Sequence, residues 1–187
     1  MPLRSLFALL GLAFVLAAPE VRAQDEDTTR RYGDYASTGL TLAAFGMTYL
    51  KDDKDGRTQY FWNLGTELVF NTTLRGAFEF SEMGERPNGK GFGFPSGHVG
   101  LVWSQATFLS RRYGLQYGIP AYAAAAYVGY ARWDGNHHYV RDMVFAAAVS
   151  QLVGYWTVTN KDDEAHLKPM IGADGDVVGL VYERPWT

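Results

Sequence analysis

The chain has 187 residues, a formal net charge of −3 and a pI near 5.8. Nucleic-acid binding is disfavoured, because a phosphate backbone requires clustered excess positive charge on the protein. The sequence contains no cysteine, which excludes disulfides, thiol catalysis and cysteine-based zinc sites. One domain of this size can bury a hydrophobic core without cross-links, and an aromatic content of 15% supplies bulky side chains for it.

The first 23 residues have the pattern of a secretory signal peptide. Arg4 precedes an apolar run over residues 6–18, and Val21-Arg22-Ala23 places small residues at the two positions that signal peptidase reads. The run is shorter than the roughly 20 residues needed to span a bilayer. We therefore expect an exported, periplasmic protein, in which residues 24–35 form a charged, flexible leader.

The chain beyond the leader predicts an all-α fold, a helical bundle of about five to six helices over residues 36–160. Segment 81–95 is rich in glycine and proline, which predicts a loop whose backbone can approach a ligand closely. Apolar spacing and the intervening loop residues predict helices over 36–50, 59–80 with a break near Asn71, 97–112, 119–131 and 139–158.

The tail, residues 161–187, differs in character. Residues 167–171 and 177–182 flank the turn-like Ala173-Asp174-Gly175-Asp176, which predicts a short hairpin or an irregular tail.

The apolar runs 115–130 and 143–158 are just under the usual membrane-spanning length and fit buried core helices equally well. We expect a soluble periplasmic domain that lies against the membrane.

Residue types suited to phosphate chemistry are concentrated in three stretches: Arg86-Pro87, Phe94-Pro95-Ser96-Gly97-His98, and residues 132–142. They contain arginine, histidine, serine and aspartate, but no cysteine and no pair of catalytic acids. This combination predicts a site that holds a tetrahedral oxyanion and attacks it.

The middle stretch predicts the start of a helix. Ser96 is a favourable N-cap and Gly97 leaves its amide accessible, so backbone donors and the positive helix end would bind a phosphate. His98, in the first turn, would stand near the leaving oxygen as a general acid. An ordinary capped helix with a surface histidine is the alternative explanation of this motif.

The third stretch places Asp142 four residues after His138, on the same face if both lie on one helix. Asp142 would then accept a hydrogen bond from the protonated nitrogen of His138. The other ring nitrogen would be left free as the nucleophile. His137 would point about 100° away and lack such a partner. A surface ion pair is one alternative. A metal site of Asp134, His137, His138 and Asp142 is another, but a metal would make the arginines redundant, so we expect neither metal nor cofactor.

The order of these motifs resembles the PAP2 (type 2 phosphatidic acid phosphatase) superfamily: Arg-Pro, then Pro-Ser-Gly-His, then an arginine with five residues before His and three more before Asp. The resemblance covers residues 75–148. The superfamily includes bacterial acid phosphatases, lipid phosphatases and vanadium haloperoxidases on a helical bundle, and its phosphatases need no metal. The resemblance implies a nucleophile, its orienting partner and a general acid, namely His138, Asp142 and His98, and a phosphate-binding set of Arg86, Arg132, Ser96 and Gly97.

Two positions depart from the family pattern. The family has a lysine seven residues before the arginine of Arg-Pro, where this chain has Glu79; we assign that role to Arg75, one helical turn earlier. Ala131 stands where the family has a serine, and the missing hydroxyl would weaken phosphate binding by about 1 kcal/mol. Four nearby aromatic residues would either wall the substrate pocket or, as we expect, belong to the core: Phe92, Phe94, Trp133 and Tyr139.

The sequence thus predicts a phosphatase that hydrolyses phosphomonoester or pyrophosphate bonds through a phosphohistidine. A lipid phosphate is the favoured substrate, because export would place the site beside the membrane. Three alternatives are an acid phosphatase for small soluble esters, a haloperoxidase-like enzyme, for which the chain is short, and a non-catalytic phosphate-binding envelope protein. The intact His98, His138 and Asp142 argue against the last. The sequence makes no prediction of oligomeric state.

Overall fold

A computed structural model describes residues 26–89, 91–161, 166–171 and 177–183, the last two ranges through their backbone alone. Within them the chain forms five α-helices, a short 3-10 turn at Glu82–Gly84 and two strands, so the predicted helical bundle is confirmed. The proposed signal peptide lies outside these residues. The elements are α1 (Glu26–Leu50), α2 (Lys54–Phe78), α3 (Gly97–Tyr113), α4 (Leu115–Asp134), α5 (Val140–Thr157), β1 (His166–Ile171) and β2 (Val177–Glu183).

The two strands form the predicted hairpin. They pair antiparallel from His166 opposite Glu183 to Ile171 opposite Val177, and the register shifts between Met170 and Ile171. The predicted turn between the strands lies outside the described residues. No helix in the described part of the chain is long and apolar enough to cross a membrane.

Helix α3 lies at the centre of the bundle and packs against α1, α2, α4 and α5. Val102, Ala106 and Phe108 are fully buried on it, and Tyr60 of α2 meets the Phe108 ring edge-on at 5.4 Å. Apolar burial on several sides of one helix is the expected source of stability in a chain without disulfides. The first turn of α3 carries the Pro-Ser-Gly-His motif, so the core fixes one wall of the candidate site.

The predicted leader is helical from Glu26 onward, so that prediction was wrong for residues 26–35. Gly33, Ala36 and Ser37 are buried on α1, which packs against α3 and α4. Tertiary contacts, more than local preference, stabilise most helices in proteins. A segment with few apolar residues therefore gave no helical signal of its own.

Helix α2 also begins earlier than predicted. Asp53 is its N-cap, and the Asp53 Oδ1 accepts the N–H of Gly56 at 2.9 Å. This cap explains the start at Lys54, because it satisfies one of the donors left free in the first turn. The helix continues through Asn71 without the expected break.

Helix α4 begins at Leu115 instead of Ile119. Gly114 has a φ of +91°, a backbone conformation that side chains disfavour, and this single residue separates α3 from α4. The Gly114 carbonyl accepts the N–H groups of Tyr117 and Gly118 at 3.1 Å each. Pro120 therefore lies in the second turn of α4, not at its start.

Candidate active site

The three sequence motifs meet at the end of the bundle where α3 and α5 begin. The Ser96 N–H donates to the Asp142 carbonyl at 3.2 Å, which joins the starts of these helices. Gly93 lies between Arg86 and His138: a Cβ at this position would be 2.7 Å from the Arg86 Cγ and 3.4 Å from the His138 Nδ1. Only glycine allows the loop to hold these two side chains so close together.

Ser96 and His98 occupy the predicted positions at the start of α3, and the predicted helix start at Gly97 is confirmed. Ser96 is fully buried, and its Oγ accepts the N–H of Val99 at 3.5 Å. The side chain of His98 is 46% exposed. The open first turn of a 17-residue helix presents free backbone donors and a positive dipole end, which together favour an anion.

Arg75 and Arg86 share one hydrogen-bond acceptor. The Arg75 Nη2 and the Arg86 Nε donate to the carbonyl of Phe92 at 2.8 and 2.9 Å. Burial lowers the pKa of Arg86, and the positive charges of Arg75 and Arg132 lower it further. A phosphate bound among these guanidinium groups would relieve their mutual repulsion. Arg75 thus lies in the cationic cluster where the sequence assigned it.

His138 lies buried beside this cluster. Burial lowers its pKa to about 3, and the positive charge of Arg86 contributes further. The imidazole is therefore neutral above strongly acidic pH, which is the form that can act as a nucleophile. Its Nδ1 is 3.8 Å from the Oδ2 of the fully buried Asp142.

His138 precedes α5 instead of lying on it, so the expectation that His138 and Asp142 share a helical face was wrong. Tyr139 is the N-cap of α5, and the Asp142 Oδ2 accepts the Tyr139 N–H at 2.9 Å in a capping box. The carboxylate thus reaches back across the helix start toward the imidazole. A separation of 3.8 Å exceeds a hydrogen bond, but catalytic hydrogen bonds often tighten only when substrate binds.

The sequence analysis missed one residue of the site, Asp34 on α1. Its Oδ1 forms an ion pair with the Arg132 Nη2 and lies 3.4 Å from the His98 Nε2. Gly33 allows this approach, because a Cβ at residue 33 would be 2.9 Å from the Cβ of Ala131. No sequence motif marks Asp34. The neighbouring glycine, Gly33, is the one local feature that is consistent with close packing of this segment against another helix.

The remaining candidates differ in their surroundings. The His137 Nδ1 is 3.4 Å from the Asn88 Nδ2, so this histidine contacts the loop before α3. Phe94 is buried as expected, but Trp133 and Tyr139 are exposed, so their assignment to the core was wrong. Among the described residues, no group of three or more histidine, aspartate or glutamate side chains could hold a metal ion.

Comparison with known proteins places the chain in a family. The family model described as PAP2 superfamily matches residues 48–164. No curated protein matches the sequence. Among solved structures, the chain is similar to the first transmembrane PAP2 type phosphatidylglycerolphosphate phosphatase from Bacillus subtilis, with 20% identity over 82% of this chain and 92% of that chain, and a TM-score of 0.45. Because the family model covers more than half of the sequence, the chain belongs to the PAP2 superfamily and is a PAP2-type phosphatase.

Proposed function

We propose that the chain hydrolyses phosphomonoester or pyrophosphate bonds through a phosphohistidine on His138. The supporting observation is that one buried, neutral imidazole lies beside a cluster of guanidinium groups and the open start of α3. In this arrangement the phosphoryl oxygens face Arg75, Arg86 and Arg132, and the Gly97 amide adds a backbone donor. Charge that spreads over those oxygens in the transition state would be stabilised by preorganised donors.

The proposed reaction has two steps. In the first, the His138 Nε2 attacks phosphorus, the bond from phosphorus to the leaving oxygen breaks, and His98 donates its proton to that oxygen. In the second, His98 takes a proton from a water molecule that attacks phosphorus, the P–N bond breaks, and phosphate leaves. The Asp142 carboxylate offsets the positive charge that the imidazole carries while it is phosphorylated.

Replacement of the nucleophile tests this mechanism. His138→Ala should reduce hydrolysis of a chromogenic phosphomonoester to background, whereas the neighbouring control His137→Ala should retain most of the activity. During turnover, wild type should carry an acid-labile phosphoryl group that His138→Ala lacks, and chelators should leave the rate unchanged. Turnover by His138→Ala at the wild-type rate would refute the proposal.

We also propose a lipid phosphate as substrate. Three exposed side chains with large apolar surface are close in the chain to residues of the site: Trp133 follows Arg132, Tyr139 follows His138, and Val140 begins α5. Large apolar side chains that are exposed beside a polar site favour contact with a lipid. Small soluble esters would gain nothing from this surface, because they have no acyl chain to bury against it.

The substrate class can be tested with a matched pair of tryptophans. Trp133 and Trp156 are 53% and 78% exposed, but Trp156 lies near the C-terminal end of α5, about 25 Å along the helix from its start. Trp133→Ser should slow hydrolysis of phosphatidate in detergent micelles more than hydrolysis of glycerol phosphate. Trp156→Ser should affect neither. Equal wild-type rates on both substrates would favour the small-ester alternative.

The proposed cellular location is the periplasm, with residues 1–23 removed on export. The support is the sequence pattern alone: a cationic start, a short apolar run and small residues before the cut. Fractionation of cells that express the full chain should recover the shortened protein outside the inner membrane. Recovery of uncleaved protein in the cytoplasm would contradict export.

A further inference from the structure

Asp34 joins two residues of the site that come from different helices. Its Oδ1 is 3.4 Å from the His98 Nε2 at the start of α3 and forms an ion pair with the Arg132 Nη2 near the end of α4. Arg132 is buried, whereas Asp34 is about half exposed. One carboxylate oxygen therefore connects the proposed general acid to a proposed phosphate-binding arginine.

The packing of α1 is adapted to this contact. A Cβ at Gly33 would lie 2.9 Å from the Ala131 Cβ and 4.0 Å from the Arg132 Nη2. A larger residue at position 33 would push α1 away from α4 and withdraw Asp34. A surface ion pair formed by chance would not require a backbone approach of this kind.

We infer that Asp34 is a positioning residue of the phosphatase reaction, which holds His98 and Arg132 in place and keeps His98 in the proton-bearing form that the leaving group needs. The inference rests on the proposed role of His98 as general acid. Asp34 lies outside residues 48–164, the range that matches the family.

Asp34 occupies only part of the hydrogen-bonding capacity of Arg132. Asp34 contacts the Nη2, whereas the Arg132 Nε is buried and has no hydrogen-bond partner among the described residues. A guanidinium group has five N–H donors in a fixed fork, and a buried donor without a partner favours an incoming acceptor. The contact with Asp34 therefore leaves other donors of this guanidinium group for a phosphoryl oxygen.

The charges around His98 explain why a carboxylate is needed. Partial burial lowers the pKa of His98, and so do its electrostatic interactions with Arg132 on α4 and with Arg86 and His137 in the adjoining loops. Asp34 on α1 acts in the opposite direction and raises this pKa. A general acid must carry its proton at the working pH. Without Asp34, His98 should lose that proton at lower pH.

The test compares Asp34→Asn with Asp52→Asn, which removes the same charge from an exposed turn after α1, at a φ of +45° that asparagine tolerates. On an alkyl phosphate, Asp34→Asn should lower kcat by about tenfold or more. The alkaline limb of the pH dependence of kcat should also move to lower pH. On p-nitrophenyl phosphate the loss should be smaller, because nitrophenolate leaves without a proton. Asp52→Asn should match wild type on both substrates.

Two results would overturn the inference. A lower KM at unchanged kcat would mean that Asp34 blocks the phosphate site. Equal losses on both substrates with an unmoved alkaline limb would mean a purely structural role. If circular dichroism shows that Asp34→Asn is unfolded, Asp34→Glu replaces it: kcat should fall while the alkaline limb stays in place, and a shifted limb would contradict us.

His138→Ala, measured in the same series, separates the two proposals. If His138→Ala still turns over substrate, the proposed function fails and the role of Asp34 fails with it. If His138→Ala is inactive but Asp34→Asn behaves like Asp52→Asn, the proposed function stands and only the role of Asp34 is refuted.

Discussion

The pH dependence of kcat/KM should follow the two histidines of the site. His138 must be unprotonated to attack phosphorus, and burial, followed by the charge of Arg86, lowers its pKa to about 3. His98 must be protonated to donate, and burial, followed by the charge of Arg132, lowers its pKa below the ordinary 6.5. Activity should therefore rise as His138 loses its proton near pH 3 and fall as His98 loses its proton below pH 6.5. The optimum should be acidic.

The size of the His138 effect follows from its surroundings. A fall in pKa from 6.5 to about 3 corresponds to about 5 kcal/mol against the imidazolium form. The His138 side chain is only 4% exposed, so water cannot solvate that charge, and the nearby guanidinium repels it. With a pKa of about 3, roughly 1% of the enzyme would carry a protonated His138 at pH 5. The nucleophile should therefore be almost fully available from about pH 5 upward.

The assay is kcat/KM from about pH 3 to about pH 8, with the ionisation of the phosphate ester, whose second pKa is about 6, included in the fit. Proton NMR of the imidazole Cε1–H signals, assigned with His137→Ala and His138→Ala, gives the pKa of each histidine directly. An acidic limb at or above pH 6, or an NMR titration of His138 near 6.5, would refute the claim that burial keeps this imidazole neutral.

Two further predictions concern charged residues. Arg75→Ala should lower kcat/KM by about a hundredfold, as does the loss of one oxyanion donor in other enzymes. The control Glu79→Ala, at the end of α2, should stay near the wild-type rate. Equal rates for both variants would show that Arg75 does not bind the phosphate. Asp53→Asn keeps the cap of α2 but breaks the buried bidentate pair with Arg112, whose two N–O distances are 2.7 Å each. It should lower the free energy of unfolding in urea by about 3–5 kcal/mol. Burial raises the pKa of Asp53, but the hydrogen bond and charge of Arg112 lower it to about 2 overall. The pair's contribution is therefore present above pH 4 and lost as the pH falls toward 2. A loss under about 1 kcal/mol in Asp53→Asn, or the same acid sensitivity in the variant, would contradict this account.

The parts of the site that could be predicted carry local signals. Ser96 is a strong N-cap, and α3 begins at the next residue as predicted. The spacing from Arg132 to Asp142 placed both residues at the junction of α4 and α5, where the structure has them. Arg75 was assigned from its position one helical turn before Glu79, and its side chain contacts the same carbonyl as Arg86. Each of these inferences depended on residues close together in the chain.

The parts that could not be predicted depend on contacts between distant segments. Asp34 lies in a charged segment without apolar periodicity, and its helix is fixed by packing at Gly33 and Ala36. The predicted helix over residues 139–158 begins after His138, as the helix in the structure does, but Tyr139 is not among the preferred N-cap residues, so the capping role of Asp142 had no recognisable signal. The Asp142 side chain completes that cap and so moves His138 off the helix.

Position 131 shows how α1 changes the pocket. The PAP2 family pattern has a serine at this position, whose hydroxyl would contribute to phosphate binding. In this chain Ala131 is fully buried and faces Gly33 of α1. The extra oxygen of Ala131→Ser would overpack this contact, which typically costs about 1–3 kcal/mol, and would push Asp34 off Arg132. We expect lower stability in thermal unfolding and a lower kcat, in contrast to Ala43→Ser on the exposed face of α1. If Ala131→Ser instead raised kcat/KM at unchanged stability, the hydroxyl would have reached the phosphate, and α1 could not be packed against α4 in the way that brings Asp34 to the site.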